Sequence, residues 1–99
     1  MKITKASNKI LKQMVNNWAD SGREGFSYKE CLTLLPETEG HVVEKAIGLL
    51  HDDGFIDVQY ADNIPYQFSL KVSGIREIEE NTMLKKGYES AKEILSLIR

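Results

Sequence analysis

The chain has one cysteine, Cys31, so no disulfide can staple it internally. That lone thiol suits a reducing compartment, and a cytoplasmic setting is expected. No apolar run approaches the ~20 residues that a membrane helix needs. The first residues carry Lys2, Lys5, Lys9 and Lys12 instead of the apolar stretch of a secretory signal. Proline is nearly absent: Pro36 and Pro65 are the only two, and both fall where a turn is expected. There is no internal repeat, no low-complexity tract and no Pro/Gly/Ser linker, which points to a single domain over residues 1–99. The most telling gap is in charge of one sign. Between Lys45 and Lys71 there is no lysine or arginine at all.

What remains is ordinary for a globular chain: 41% apolar, 28% charged and a net charge of −2. Ninety-nine residues supply one core and not two. Ser7 is an N-cap candidate, and Ile10, Leu11, Met14, Val15 and Trp18 then recur at the helical period. Gly22 and Gly25 bracket the turn after that helix. Ser27-Tyr28-Lys29-Glu30 reads as a capping box that opens a short second helix, with Cys31, Leu32, Leu34 and Leu35 as its apolar content and Pro36 as its stop. Thr38 is the N-cap candidate of a third helix.

The third helix is the clearest element. Val43, Ala46, Ile47 and Leu50 occupy i, i+3, i+4 and i+7, which leaves His41, Glu44, Lys45, Gly48, Asp52 and part of His51 outside. Gly54 stands at the C′ position, with Phe55-Ile56 placed to close a Schellman-type contact. Two alternating segments follow, 55–60 and 66–70, joined by a loop over 61–65. A short helical stretch to about Glu80 turns Ile75 and Ile78 inward. After Asn81-Thr82, a last helix carries Leu84, Tyr88, Ala91, Leu95 and Ile98 on one face. Three helices followed by a β-hairpin give a mainly α, α+β reading: a winged helix-turn-helix with a two-stranded wing and C-terminal helices.

The third helix, Gly54-Phe55-Ile56, the hairpin and Leu70-Lys71-Val72-Ser73-Gly74 look like a winged helix of bacterial regulators. In that pattern a Leu-Thr-x-x-Gly segment ends the wing. Here Lys71 stands at the threonine position, which moves the expected N-cap to Ser73. The chain from Asn8 onward, including Leu84, Tyr88, Lys92, Glu93, Ile94 and Ile98, resembles the YjcQ-like family of small bacterial and prophage proteins. The resemblance implies the winged-helix fold. It implies no activity, cofactor or catalytic residue.

Charge separates the fold from the job that the fold suggests. Residues 1–22 carry +3, 23–54 carry −4, 55–70 carry −2 and 71–99 carry +1. DNA affinity rests largely on neutralising phosphates. The expected reading helix and wing are acidic, and Asp62 at the wing tip opposes a phosphate. DNA binding therefore falls to His41 and Lys45 on the third helix, with Lys29, Lys9 and Lys12 at the backbone. The competing reading is that these lysines are solvated surface. Tyr60, Tyr66 and Phe68 put aromatics on a hairpin without basic residues, which suits either a protein interface or packing of the wing on the third helix. Gly48 hints at a close approach by the first helix or by a partner.

Catalytic and metal chemistry have less to stand on. Cys31, His41 and His51 are ten residues apart, far from any metal-ligand spacing. His51 is explained by the negative end of its helix. Cys31 reads as a buried small hydrophobe. The pairs Asp52-Asp53 and Glu79-Glu80 are adjacent and point apart on a helix. No phosphate-cradling glycine loop is present. The expectation is a non-enzymatic regulatory protein without metal or cofactor, with DNA as a tentative partner. The alternative is a winged-helix protein-interaction module that does not touch DNA. The last helix either completes the core or packs on its copy in a homodimer.

Overall fold

The computed structural model describes residues 1–80. The last helix expected at 81–99 lies outside the described residues. The described chain is a mixed α+β unit in the order α1 (Ile3–Ser21), β1 (Gly25–Ser27), α2 (Tyr28–Leu34), α3 (Gly40–Asp52), β2 (Ile56–Ala61) and β3 (Ile64–Leu70). Residues 72–80 form a further helix, α4. The strands make one antiparallel sheet in the order β1-β3-β2.

Helix α1 starts four residues before Ser7. Ala6 N–H already donates to the Lys2 carbonyl at 3.0 Å, and nothing in residues 3–6 opposes a helix. Ser7 is buried in the second turn, where its hydroxyl donates to the Thr4 carbonyl at 2.9 Å rather than capping. The apolar face is as expected: Ile10, Leu11, Met14 and Val15 are buried, while Trp18 sits at the rim, 36% exposed. Gly22 ends the helix, its N–H bonded to Trp18 O at 2.7 Å.

The turn expected at 22–25 leads into a strand that was not expected, β1, which starts at Gly25 and runs to Ser27. Its three residues are too few to show a period, but Phe26 pairs with Phe68 and Ser27 with Gln67. Ser27 caps α2, its hydroxyl accepting from Glu30 N–H at 3.1 Å. In the reciprocal half of the capping box the Glu30 carboxylate turns back to Ser27, whose backbone N–H helps hold it ionised, and it also takes the Arg23 guanidinium and the Ser27 hydroxyl. That arrangement ties the turn before β1 to the start of α2.

The Arg23 hydrogen bond, outweighing the opposing effect of burial, holds the Glu30 carboxyl below its ordinary value. A lowered folded-state pKa stabilises the fold above the ordinary carboxylate range, and that contribution is lost as pH falls through the lowered value. Because the pair is half exposed, Glu30→Gln is expected to cost at most about 1 kcal/mol at neutral pH. The difference from the parent chain should narrow as urea unfolding is repeated down to about pH 3.

Thr38 does not cap α3. The turn after Pro36 closes with Thr38 N–H on Leu35 O at 3.0 Å, which draws the Thr38 side chain inward, and Glu39 occupies the N-cap position without a side-chain bond. At the other end the expected Schellman motif is complete. Gly54 N–H bonds His51 O at 2.9 Å, Phe55 N–H bonds Leu50 O at 3.0 Å, and Gly54 has φ +79°.

The five-residue loop expected at 61–65 is a two-residue turn. Asp62 and Asn63 both take positive φ, 53° and 65°, as a type I′ hairpin requires, and Ala61 pairs directly with Ile64. Aspartate and asparagine tolerate this geometry, which is why the turn closes without glycine. Pro65 lies inside β3, and its lack of an N–H is harmless because β1 flanks the strand only from Gln67 onward. A bulge between the Gln59 and Tyr60 pairings leaves Tyr66 unpaired.

The core joins Ile10, Leu11 and Met14 of α1 to Cys31 and Leu35, to Val43, Ala46, Ile47 and Leu50 of α3, and to Ile56, Phe68 and Leu70 of the sheet. Ile75 and Ile78 of α4 pack against it, as their spacing predicts. Helix α4 enters beside the end of α3. The Ser73 hydroxyl donates to the Gly54 carbonyl and so does not cap its own helix, which already begins at residue 72. Among the described residues no helix is long and apolar enough to cross a membrane.

Candidate functional site

The outward face of α3, the hairpin and the start of α1 enclose an open groove of about 560 Å³. The alternation within α3 builds its floor: with Val43, Ala46, Ile47 and Leu50 turned into the core, His41, Glu44, Lys45, Gly48 and Asp52 must line the other side. All five expected outward residues are there. Tyr60, Asn63 and Pro65 of the hairpin form one wall, and Ile3 stands across from them. Tyr60 is 54% exposed.

The groove is electrically mixed. His41 and Lys45 sit in the first half of α3, and Asp52 closes the far end with its carboxylate 3.6 Å from His51 Nδ1. His41 Nδ1 is 3.2 Å from the Glu39 carboxylate, so part of its capacity to meet an anion is already engaged. Glu44 faces the Tyr28 hydroxyl at 3.5 Å, and the same hydroxyl lies 3.5 Å from Gly40 O. Burial first, then the Glu44 charge, push the Tyr28 phenol above its ordinary pKa, so it stays a neutral tether between α2 and α3.

The sequence-derived DNA set does not converge. Only His41 and Lys45 line this groove. Lys29 borders two other hollows, one between α1 and α2 and one between α2 and the hairpin. Lys9 and Lys12 stand exposed on α1 and line none of these hollows. The aromatic set also divides. Phe68 is 2% exposed and stacks at a tilt on Phe26, with ring centroids 5.9 Å apart, so it is core and not an interaction surface. Tyr60 enters the α3 groove. The bulge turns Tyr66, 52% exposed, toward Leu32 and Ile64 beside α2, where they edge an apolar hollow of about 380 Å³. A bulge has no sequence signature, so this division was not readable beforehand.

Gly48 explains the depth of the groove. No atom lies within 4 Å of where its Cβ would be, so neither α1 nor any other described element makes the close approach expected there. Alanine at this position is expected to stabilise the domain by about 1 kcal/mol through helix propensity alone, measured as a shift in urea midpoint.

Other chemistry is sparse. Cys31 is fully buried, and burial, aided by the Glu30 charge, pushes its thiol up to about 12, which leaves it unreactive in the folded state. Among the described residues no group of three or more His, Cys, Asp or Glu is placed to hold a metal ion. No family model, no curated protein and no solved structure matches the chain.

Proposed function

We propose that the chain is a small, non-enzymatic regulatory module of winged-helix architecture that binds a protein segment in the groove between α3 and the hairpin. The order helix, strand, helix, helix, hairpin, with β1 added to the hairpin, supports the architecture that the YjcQ-like resemblance implies. Fold alone assigns no ligand. The observation that carries the reading is the groove lining. Glu44 and Asp52 stand among Ile3, Tyr60 and Pro65, and the hairpin brings no basic residue. Such a surface favours a segment with apolar side chains and a lysine or arginine over a polyphosphate.

One observation favours DNA as a second reading: His41 and Lys45 share the groove at the beginning of α3, where a reading helix makes its base contacts. The two are separated by one set of measurements. Mobility shifts with genomic fragments at low salt should show no complex; a shift that weakens with salt and disappears in Lys45→Glu assigns the groove to DNA instead. For the protein reading, Gly48→Leu fills the groove floor without meeting another atom at Cβ. It and Tyr60→Ala should each release a captured partner that Lys9→Glu retains. Retention of the partner by Gly48→Leu would place the interface elsewhere.

A further inference from the structure

We propose that the hollow between α2 and the hairpin is a second docking site, which takes a partner-protein segment presenting a large apolar side chain next to an aspartate or glutamate. The site is independent of the α3 groove. Tyr60 and Pro65 of the hairpin line that groove, whereas Ala61, Ile64 and Tyr66 line the hollow.

Three observations lead there. The first is convergence. The described residues include eight large apolar side chains that are exposed, and three of them, Leu32, Ile64 and Tyr66, meet at this hollow. Leu32 follows buried Cys31 on α2, one step round the helix from the core, and the bulge in the β2–β3 pairing brings Tyr66 to the same place. Exposed apolar side chains that stand singly are common on a protein surface, but a joined set marks a contact site.

The second is the polar complement. Four polar side chains line the hollow, and two of them are already engaged. The Ser27 hydroxyl serves the α2 cap, and the Tyr28 hydroxyl faces Glu44 and Gly40. The Lys29 ammonium and the Tyr66 hydroxyl have no partner among the described residues. Lys29 is also the one charged residue, among those described, that lines the hollow. Its neighbour Glu30 is held by Arg23, and Asp62 stands in the hairpin turn beyond Ala61 without lining it. A cation and a hydroxyl donor beside an apolar floor suit a carboxylate next to an apolar side chain.

The third is shape. The hollow of about 380 Å³ is large enough for a ligand-sized group. Its rim is itself open, with Leu32, Ile64 and Tyr66 37–52% exposed. A free amphiphile that filled the floor would leave this rim wet. A peptide chain covers the rim while its side chain fills the floor, which is the arrangement of an interface hot spot.

The test follows the methyl signals of Leu32 and Ile64 in the isotope-labelled full chain. The probe is the end-capped peptide Gly-Trp-Glu-Gly, added to about 5 mM. Both methyls should shift along saturable curves. Lysine in place of the peptide's glutamate should weaken binding about threefold or more, and alanine in place of its tryptophan should abolish it. Lys29→Glu, an exposed change, should reverse the preference between the glutamate and lysine peptides. Lys9→Glu makes the same change of charge on α1 and should leave the preference as it is. Methyls that stay unshifted with every peptide would overturn the proposal, as would equal affinity for the glutamate and lysine peptides. Octanoate moving the same methyls at lower concentration than the peptide would overturn it in favour of a small amphiphile. Shifts that follow chain concentration without peptide would overturn it in favour of a second copy.

Discussion

Phe68→Ala is expected to remove about 3–5 kcal/mol from the unfolding free energy, the largest loss from any single truncation considered. Phe68 sits in the central strand, 2% exposed, paired across the sheet with Phe26 on one side and Val58 on the other. Its removal empties the junction between sheet and helices, and the rigid strands limit how far the cavity can collapse. A domain of this size has about 5–10 kcal/mol to lose, so the variant should unfold at low urea or be partly unfolded at 37 °C. Tyr60→Ala, which removes an exposed ring, should stay within about 0.5 kcal/mol of the parent. The pair of variants distinguishes an aromatic that builds the fold from one that is free to meet a partner. Loss of partner binding in Phe68→Ala alone would therefore say nothing about the interface. Urea unfolding followed by tryptophan fluorescence at Trp18 and by circular dichroism measures both.

Gly74→Ala comes next, with an expected cost of about 1–3 kcal/mol. A Cβ at this position meets the Phe55 backbone oxygen at 2.6 Å, and then Leu70 Cδ1 at 3.0 Å and Leu11 Cδ1 at 3.2 Å. The two leucine tips can rotate aside. The Phe55 carbonyl cannot, because it accepts Lys71 N–H at 3.0 Å and its own N–H closes the α3 cap. The strain must then open the contact between α4 and the rest of the domain. The loss should appear first as faster amide exchange in residues 72–80, ahead of global unfolding. Equal exchange in the two chains would show that α4 shifts freely and that the close approach is incidental. The contrast with Gly48→Ala is direct: two glycines on helices, one in open space and one against a carbonyl, are expected to respond with opposite signs.

The residues that could be read from the sequence are those whose patterns are local and periodic. The inward face of α3, the Gly54 stop and the Ser27 cap follow from spacing and from backbone groups a few residues away. The outward face of α3 follows from the same period, which is why the groove floor was legible. What could not be read depends on contacts distant in sequence. Strand β1 exists because Phe26 meets Phe68, forty-two residues later. The Tyr66 bulge and the placement of Pro65 depend on how far β1 extends along β3. The missing caps at Ser7 and Thr38 have a common cause, since both side chains are drawn into buried positions and the backbone finds other partners. The lysines were correctly expected to be exposed, but sequence does not say which of them share a surface, and only Lys45 joins His41.

The burial of Cys31 has a practical consequence. With its sulfur enclosed and its proton held to high pH, a thiol-reactive probe can modify this position only during moments when the surrounding helices part. Its modification rate is then a clock for spontaneous opening. In a chain without any other sulfhydryl, that clock can be read in a crude mixture, so partner or peptide additions can be ranked by how far they slow it.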